Sequence, residues 1–98
     1  MLGDFVPKLL GYTDNILFGD LWEGKELSRR DRSLITVAAL VAGEHSAGQL
    51  KFHLNFAREH GLTEEELIEV ITHLAFYTGW PKAMTAIMTT KETFEKDK

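Results

Sequence analysis

Residues 46–60 read SAGQLKFHLNFAREH, and this stretch determines how the rest of the chain is interpreted. Its apolar side chains repeat at helical spacing, because Leu50, Leu54 and Ala57 stand at offsets 0, 4 and 7 and share one face. His53, at offset 3, falls on the same face. An imidazole in an apolar face is a candidate acid or base. The alternative is a core histidine whose hydrogen bond is satisfied.

Helix boundaries are marked clearly on both sides of this stretch. Three helix starts carry a capping pair, in which a hydroxyl accepts a hydrogen bond from the backbone three residues on: Ser28 with Asp31, Ser46 with Gln49, and Thr63 with Glu66. The residues that end these helices are glycines: Gly43, Gly61 and Gly79. Pro81 then suits the first position of a further helix. Residues 5–11 and 14–22 form two more candidate short helices, punctuated by glycines.

No segment shows the alternation of a strand, so the sequence predicts an all-α bundle of four to six helices, with residues 28–43 and 46–60 as an antiparallel pair. Residues 34–42 are apolar on almost every side and need cover from several directions. Large aromatic residues exceed what one inward face per helix requires: Phe52, Phe56, Phe76, Tyr77 and Trp80. This surplus predicts burial against other copies of the chain.

Composition narrows the class of protein. The 98 residues form a single predicted domain, 1–98, in which residues 1–21 carry the weakest pattern and the charged tail 91–98 is expected to fray. The net charge of −4 and dispersed cations disfavour nucleic-acid binding. The longest apolar stretch, residues 34–43, is too short to span a bilayer, and the N-terminus does not read as a secretory signal. We therefore expect a cytoplasmic protein without a membrane partner.

Cysteine is absent, which excludes disulfides, thiolate metal sites and thiol redox catalysis by this chain. The histidines also lack the i, i+4 spacing of a helical zinc site, so no metal is predicted. Glu69 and His73 form an i, i+4 pair, either a weak surface pair or a tuned histidine. Glu44 and His45 read as solvated loop residues, and the roles of these four residues stay open.

Four motifs make the chain similar to the carboxymuconolactone decarboxylase family, within the wider alkylhydroperoxidase D-like group. They are LSRRDRSL at 27–34, QLKFH at 49–53, GLTEEELIE at 61–69 and YTGWPKA at 77–83. The decarboxylases usually have glutamate where this chain has Gln49. The resemblance implies a helical fold that assembles as a homotrimer or homohexamer.

The resemblance also separates two chemistries. The alkylhydroperoxidase branch carries Cys-x-x-Cys-x-x-x-His, and the matching positions here are Ser46, Gln49 and His53. Because both thiols are missing, peroxide reduction through a disulfide is excluded. The chain resembles a branch of the group that lacks the Cys-x-x-Cys motif.

The decarboxylase branch needs no thiol and no cofactor, and its substrate class is an unsaturated lactone that carries a carboxylate. The resemblance implies decarboxylation or a related proton transfer on a small cyclic acid, with His53 as the acid or base and Gln49 orienting it. Arg32 is a candidate anion contact, and Tyr77 and Trp80, from the last motif, are candidate substrate contacts. The competing hypothesis is a catalytically silent oligomeric domain that binds a small molecule or a protein.

Overall fold

The computed structural model describes residues 2–95, and within them the regular structure is entirely helical. Two short helices open the chain, α1 (Leu2–Phe5) and α2 (Pro7–Tyr12), followed by a π-helix over Thr13–Leu21. Four longer helices form the body: α3 (Arg29–Ala42), α4 (Ala47–Glu59), α5 (Glu64–Thr78) and α6 (Trp80–Glu95). The predicted all-α class is confirmed.

Local hydrogen bonds explain where the body helices begin. The hydroxyls of Ser28, Ser46 and Thr63 each accept a hydrogen bond from the backbone N–H three residues on, at 3.0, 3.1 and 3.0 Å. Only Thr63 has the reciprocal bond, because the Glu66 carboxylate accepts from the Thr63 N–H at 2.9 Å. The predicted start of α5 is therefore a complete capping box, whereas α3 and α4 have its first half.

Two glycines take a backbone conformation that other residues rarely adopt. Gly61, after α4, has φ of 101°, and Gly79 has φ of 100°. Gly79 alone separates α5 from α6. The sequence predicted Pro81 at the first position of α6, but Trp80 takes that position and Pro81 is the second residue. Near this helix start, Lys82 donates from Nζ to the Ala42 carbonyl at 2.7 Å.

The core lies where the four body helices meet. In ring order these are α3, α4, α6 and α5, and each packs against the next. The most deeply buried apolar side chains come from all four helices and from the α4–α5 loop: Val37, Val41, Leu50, Leu54, Ala57, Leu62, Leu67, Ile71, Ala83, Ala86 and Phe94. The start of α3 contacts the end of α4, which makes the two helices antiparallel.

The two ends of the chain differ in how they join this body. The tail that was expected to fray from Lys91 instead continues α6 to Glu95 and buries Thr93 and Phe94, while the remaining tail residues lie outside the described part. The predicted helices at 5–11 and 14–22 correspond to helical structure. That N-terminal arm leaves many apolar side chains exposed: Leu2, Phe5, Leu9, Ile16 and Leu21.

Between residues 2 and 95, no helix has both the length and the apolar character needed to cross a membrane.

Candidate functional site

His53 lies at the edge of the buried face of α4. Leu50, Leu54 and Ala57 are fully buried, whereas the His53 ring is half-buried. The aromatic side chains of Phe52 and Phe56 flank it, with ring centroids 4.9 and 6.2 Å away and edge-on geometry. The sequence placed His53 on this face, and the structure adds that one side of the ring remains accessible.

The electrostatic setting of His53 favours the neutral ring. Its Nδ1 atom is buried and has no hydrogen-bond partner among the described residues. Burial lowers the pKa of His53 below the ordinary histidine value, because desolvation penalises the imidazolium. A buried polar atom without a partner is uncommon in folded proteins and marks a position where a ligand or water is expected to bind. Nδ1 is thus a buried nitrogen with no partner among the described residues, on a ring that is itself only half-buried.

Gln49 lies one turn before His53 on the same helix, but the structure does not bring the two side chains into a hydrogen bond. Its backbone N–H donates to Ser46, and its side chain is exposed and unbonded within the described part of the chain. Gln49 is therefore available to a ligand rather than committed to orienting the imidazole.

Arg32 projects toward the loop that precedes α3. Its Nη2 donates to the Gly24 carbonyl at 3.3 Å, and its Nε is buried without a partner in residues 2–95. The guanidinium thus has one weak contact and one unsatisfied donor. No hydrogen bond within residues 2–95 joins Arg32 to His53, so the single chain does not hold these two side chains together.

Tyr77 and Trp80 lie at the corner between α5 and α6, and 76% and 58% of their surfaces are exposed. Tyr77 stacks on His73 at 4.9 Å between ring centroids, and Trp80 meets Phe76 edge-on at 5.6 Å. Neither ring is paired with the His53 ring within the described chain. The structure therefore separates the candidate substrate contacts of this corner from the candidate acid or base on α4.

Sequence reasoning did not connect His60, the residue that caps α4, with Ser33 of α3. His60 stands seven residues after His53, and its Nδ1 lies 2.8 Å from the Ser33 hydroxyl. Its ring packs 4.3 Å from Phe56 and 5.9 Å from Trp22. The seven-residue spacing was visible in the sequence as two turns of one helix face, but Ser33 and Trp22 come from distant segments that spacing alone does not connect.

A groove of about 490 Å³ lies elsewhere, between α3 and α5. Its floor is apolar, and its polar rim is formed by Arg30, Glu66, Glu69 and His73. Arg30 is already paired with Glu66, which the Thr63 N–H also binds. The groove does not include His53, so its size alone does not make it the reaction site.

The remaining histidine near α4, His45, is committed to the fold, since its Nδ1 lies 2.6 Å from the Leu40 carbonyl. Across residues 2–95, histidine and carboxylate side chains nowhere gather in a group of three that could hold a metal ion.

These features define an all-helical domain that presents an unpaired, half-buried imidazole and contains no thiol. The chain belongs to the carboxymuconolactone decarboxylase family, whose sequence model matches residues 7–92. This range covers all four body helices apart from the last residues of α6.

Two curated relatives are enzymes by name. The chain is 33% identical over 95 residues to a 4-carboxymuconolactone decarboxylase of Acinetobacter baylyi, which covers 96% of this chain and 69% of that protein. It is 34% identical over 76 residues to a nitrosuccinic acid decarboxylase of Metarhizium robertsii, covering 78% of this chain and 52% of that protein. The chain therefore spans about two-thirds of the first relative and about half of the second.

Proposed function

We propose that the protein catalyses decarboxylation, or a related proton transfer, on a small unsaturated lactone or cyclic carboxylic acid without a cofactor. The observation that carries the proposal is the buried, unpartnered Nδ1 of His53, flanked by Phe52 and Phe56. Support comes from two relatives named as decarboxylases, one acting on a lactone acid and one on a nitro acid.

The reaction requires an apolar site that excludes water, a hydrogen-bond donor to the oxygen that develops negative charge, and a proton source. As the bond to the carboxylate breaks, carbon dioxide leaves and its bonding electron pair spreads through the alkene to the lactone carbonyl oxygen. The carbon then takes a proton from the His53 imidazolium, which regains one from solvent. In the free protein, burial lowers the pKa of His53 and favours the neutral ring. Binding of the anionic substrate favours the imidazolium, because an opposite charge nearby raises the pKa of a histidine.

The other candidate residues are assigned supporting roles. Gln49, whose side chain is exposed one turn from His53, orients the substrate or the ring. Arg32 is assigned the anion contact through its guanidinium, which makes one weak hydrogen bond in the described chain. Tyr77 and Trp80 are assigned substrate contacts supplied across an interface, because a homotrimer or homohexamer would set the exposed α5–α6 corner of one copy beside another copy.

The test is an activity assay of the parent protein and two variants on two substrates, 4-carboxymuconolactone and nitrosuccinic acid. Conversion of the lactone is measured as loss of its ultraviolet absorbance. We expect His53→Gln to lower kcat by about 100- to 10,000-fold, the usual contribution of a positioned acid or base. His45→Gln is the matched control, because it changes a histidine whose ring contacts a backbone carbonyl. Parent activity that survives His53→Gln, with helicity and oligomer size unchanged, would refute the assigned role.

A second function, a catalytically silent binding domain, is favoured by one observation. The Gln49 side chain is exposed and does not engage His53 in the described chain, so the charge that a glutamate would supply to the imidazole is missing. A correctly assembled parent that binds these acids without converting them would support this alternative over catalysis.

A further inference from the structure

A second, smaller groove lies where the N-terminal arm crosses the end of α4. Its volume is about 320 Å³, and its walls are Phe18, Trp22, Phe56 and His60. Phe18 and Phe56 meet edge-on at 6.1 Å between ring centroids, and Trp22 lies 5.4 Å from Phe56. Three aromatic side chains from two separate segments thus form a surface suited to a flat ring.

The buried Ser33 hydroxyl determines which nitrogen of His60 carries the proton. Ser33 is 1% exposed, and its only side-chain hydrogen bond in the described chain joins Oγ to Nδ1 of His60 at 2.8 Å. A buried hydroxyl hydrogen needs an acceptor, so Oγ–H donates and Nδ1 accepts. The neutral ring then carries its proton on Nε2. His60 lines the groove, so Nε2–H is the donor left for a ligand.

A cation completes the groove at its mouth. Arg29 pairs with Glu23, and both contacts, at 2.7 Å, use the same guanidinium nitrogen, Nη2. Both side chains are more than half exposed, so the pair is weak and open to exchange. A ligand carboxylate can approach the other guanidinium nitrogens or replace Glu23, and Arg is the side chain best suited to hold a carboxylate through two bonds.

We propose that this groove is a binding site for a planar aromatic carboxylate, with its ring against Phe18 and Phe56 and its carboxylate held by Arg29 and His60. The seven residues from His53 to His60 rise about 10 Å along α4, and His53 is not among the residues that line this groove. The site is therefore separate from the proposed reaction site and does not depend on decarboxylation.

The chain carries its own reporter for this site, because Trp22 lies in the wall and the only other tryptophan is Trp80. In a Trp80→Phe background, benzoate should change Trp22 fluorescence in a saturable way. Benzylamine and benzyl alcohol, which have the ring without the carboxylate, should bind at least tenfold more weakly. An equal response to benzylamine would overturn the carboxylate assignment.

Variants in the same background locate the ligand. His60→Leu and Arg29→Gln should each weaken benzoate binding at least tenfold, while Lys91→Gln removes a positive charge from distant α6 and should leave it unchanged. Arg29 is exposed, so its variant keeps the test valid if His60→Leu does not fold. His53→Gln should bind benzoate as the parent does. Loss of binding in His53→Gln, or normal binding in Arg29→Gln, would overturn the separate site.

Discussion

The Ser33 hydroxyl and Nδ1 of His60, 2.8 Å apart, join the N-terminal part of α3 to the residue that caps α4. Ser33 is buried, so no water competes for its hydroxyl. We predict that Ser33→Ala lowers the free energy of unfolding by about 1–2 kcal/mol, since the imidazole nitrogen loses its partner. Urea denaturation followed by circular dichroism measures the change.

A double-mutant cycle with His60→Leu isolates this contact, and we expect a coupling energy of about 1 kcal/mol. Thr36→Ala is the matched control, because the Thr36 hydroxyl bonds the Arg32 carbonyl within its own helix and should show no coupling to His60. Additive effects of Ser33→Ala and His60→Leu would contradict the assigned bond.

The lowered pKa of His53 makes stability depend on pH. Between the depressed folded pKa and the unfolded value of about 6.5, the unfolded chain binds more protons than the folded one. The free energy of unfolding therefore falls as pH drops below about 6.5, and the loss ends once pH passes the folded pKa. We predict that His53→Gln reduces this loss between pH 7.5 and 5.5, measured as the shift in Tm. Equal shifts in parent and variant would contradict the assignment.

At lower pH the free energy of unfolding depends on the Glu66 carboxylate at the start of α5. The pKa of Glu66 is lowered, first by the backbone hydrogen bond from Thr63 and further by Arg30. The stabilisation from this carboxylate is present above its ordinary pKa and is lost as pH falls through the lower folded value. We predict that Glu66→Gln reduces the acid dependence of the Tm between pH 5 and 3. Glu65→Gln, an exposed neighbour, should not.

Much of the fold was readable because its signals are local. The hydroxyl caps at Ser28, Ser46 and Thr63 and the glycine after α4 depend on residues within one turn. Each hydroxyl accepts the predicted bond, although only Thr63 has the full capping box. The segment after Lys91 shows where local reading fails. A charged tail suggested fraying, but Phe94 packs beneath the Arg58 guanidinium, 4.9 Å from its ring centroid, through a contact 36 residues away in sequence.

The candidate site was predictable only in part for the same reason. His53 could be placed on a helix face from its spacing alone, and the structure puts it at the edge of that face. The direction of Arg32 toward Gly24 depends on how the preceding loop folds back, which no periodicity encodes. Tyr77 and Trp80 do not pair with the His53 ring in the described chain, and under the proposed assembly their approach to it would depend on a second copy, which spacing does not encode.

The buried face of α4 should dominate the stability of the single chain. Leu54 is completely buried among side chains of the four-helix core. We predict that Leu54→Ala lowers the free energy of unfolding by about 2–5 kcal/mol, from lost burial and the cavity left behind. Leu9→Ala, on the exposed N-terminal arm, is the matched control and should cost less than about 0.5 kcal/mol in the monomer. Similar losses in both variants would show that the arm is buried in solution.

Substitution of an exposed apolar side chain at the α5–α6 corner tests the proposed assembly. Phe76 is 76% exposed and lies beside Trp80 at the α5–α6 corner. If other copies cover this corner, Phe76→Ser removes apolar area from an interface, and the oligomer should dissociate at a higher protein concentration than in the parent. Sedimentation equilibrium of both proteins measures the change, with Thr72→Ser, an exposed position one turn earlier on α5, as the control. An unchanged dissociation constant in Phe76→Ser would remove this corner from the interface and, with it, the proposed route by which Tyr77 and Trp80 reach the substrate.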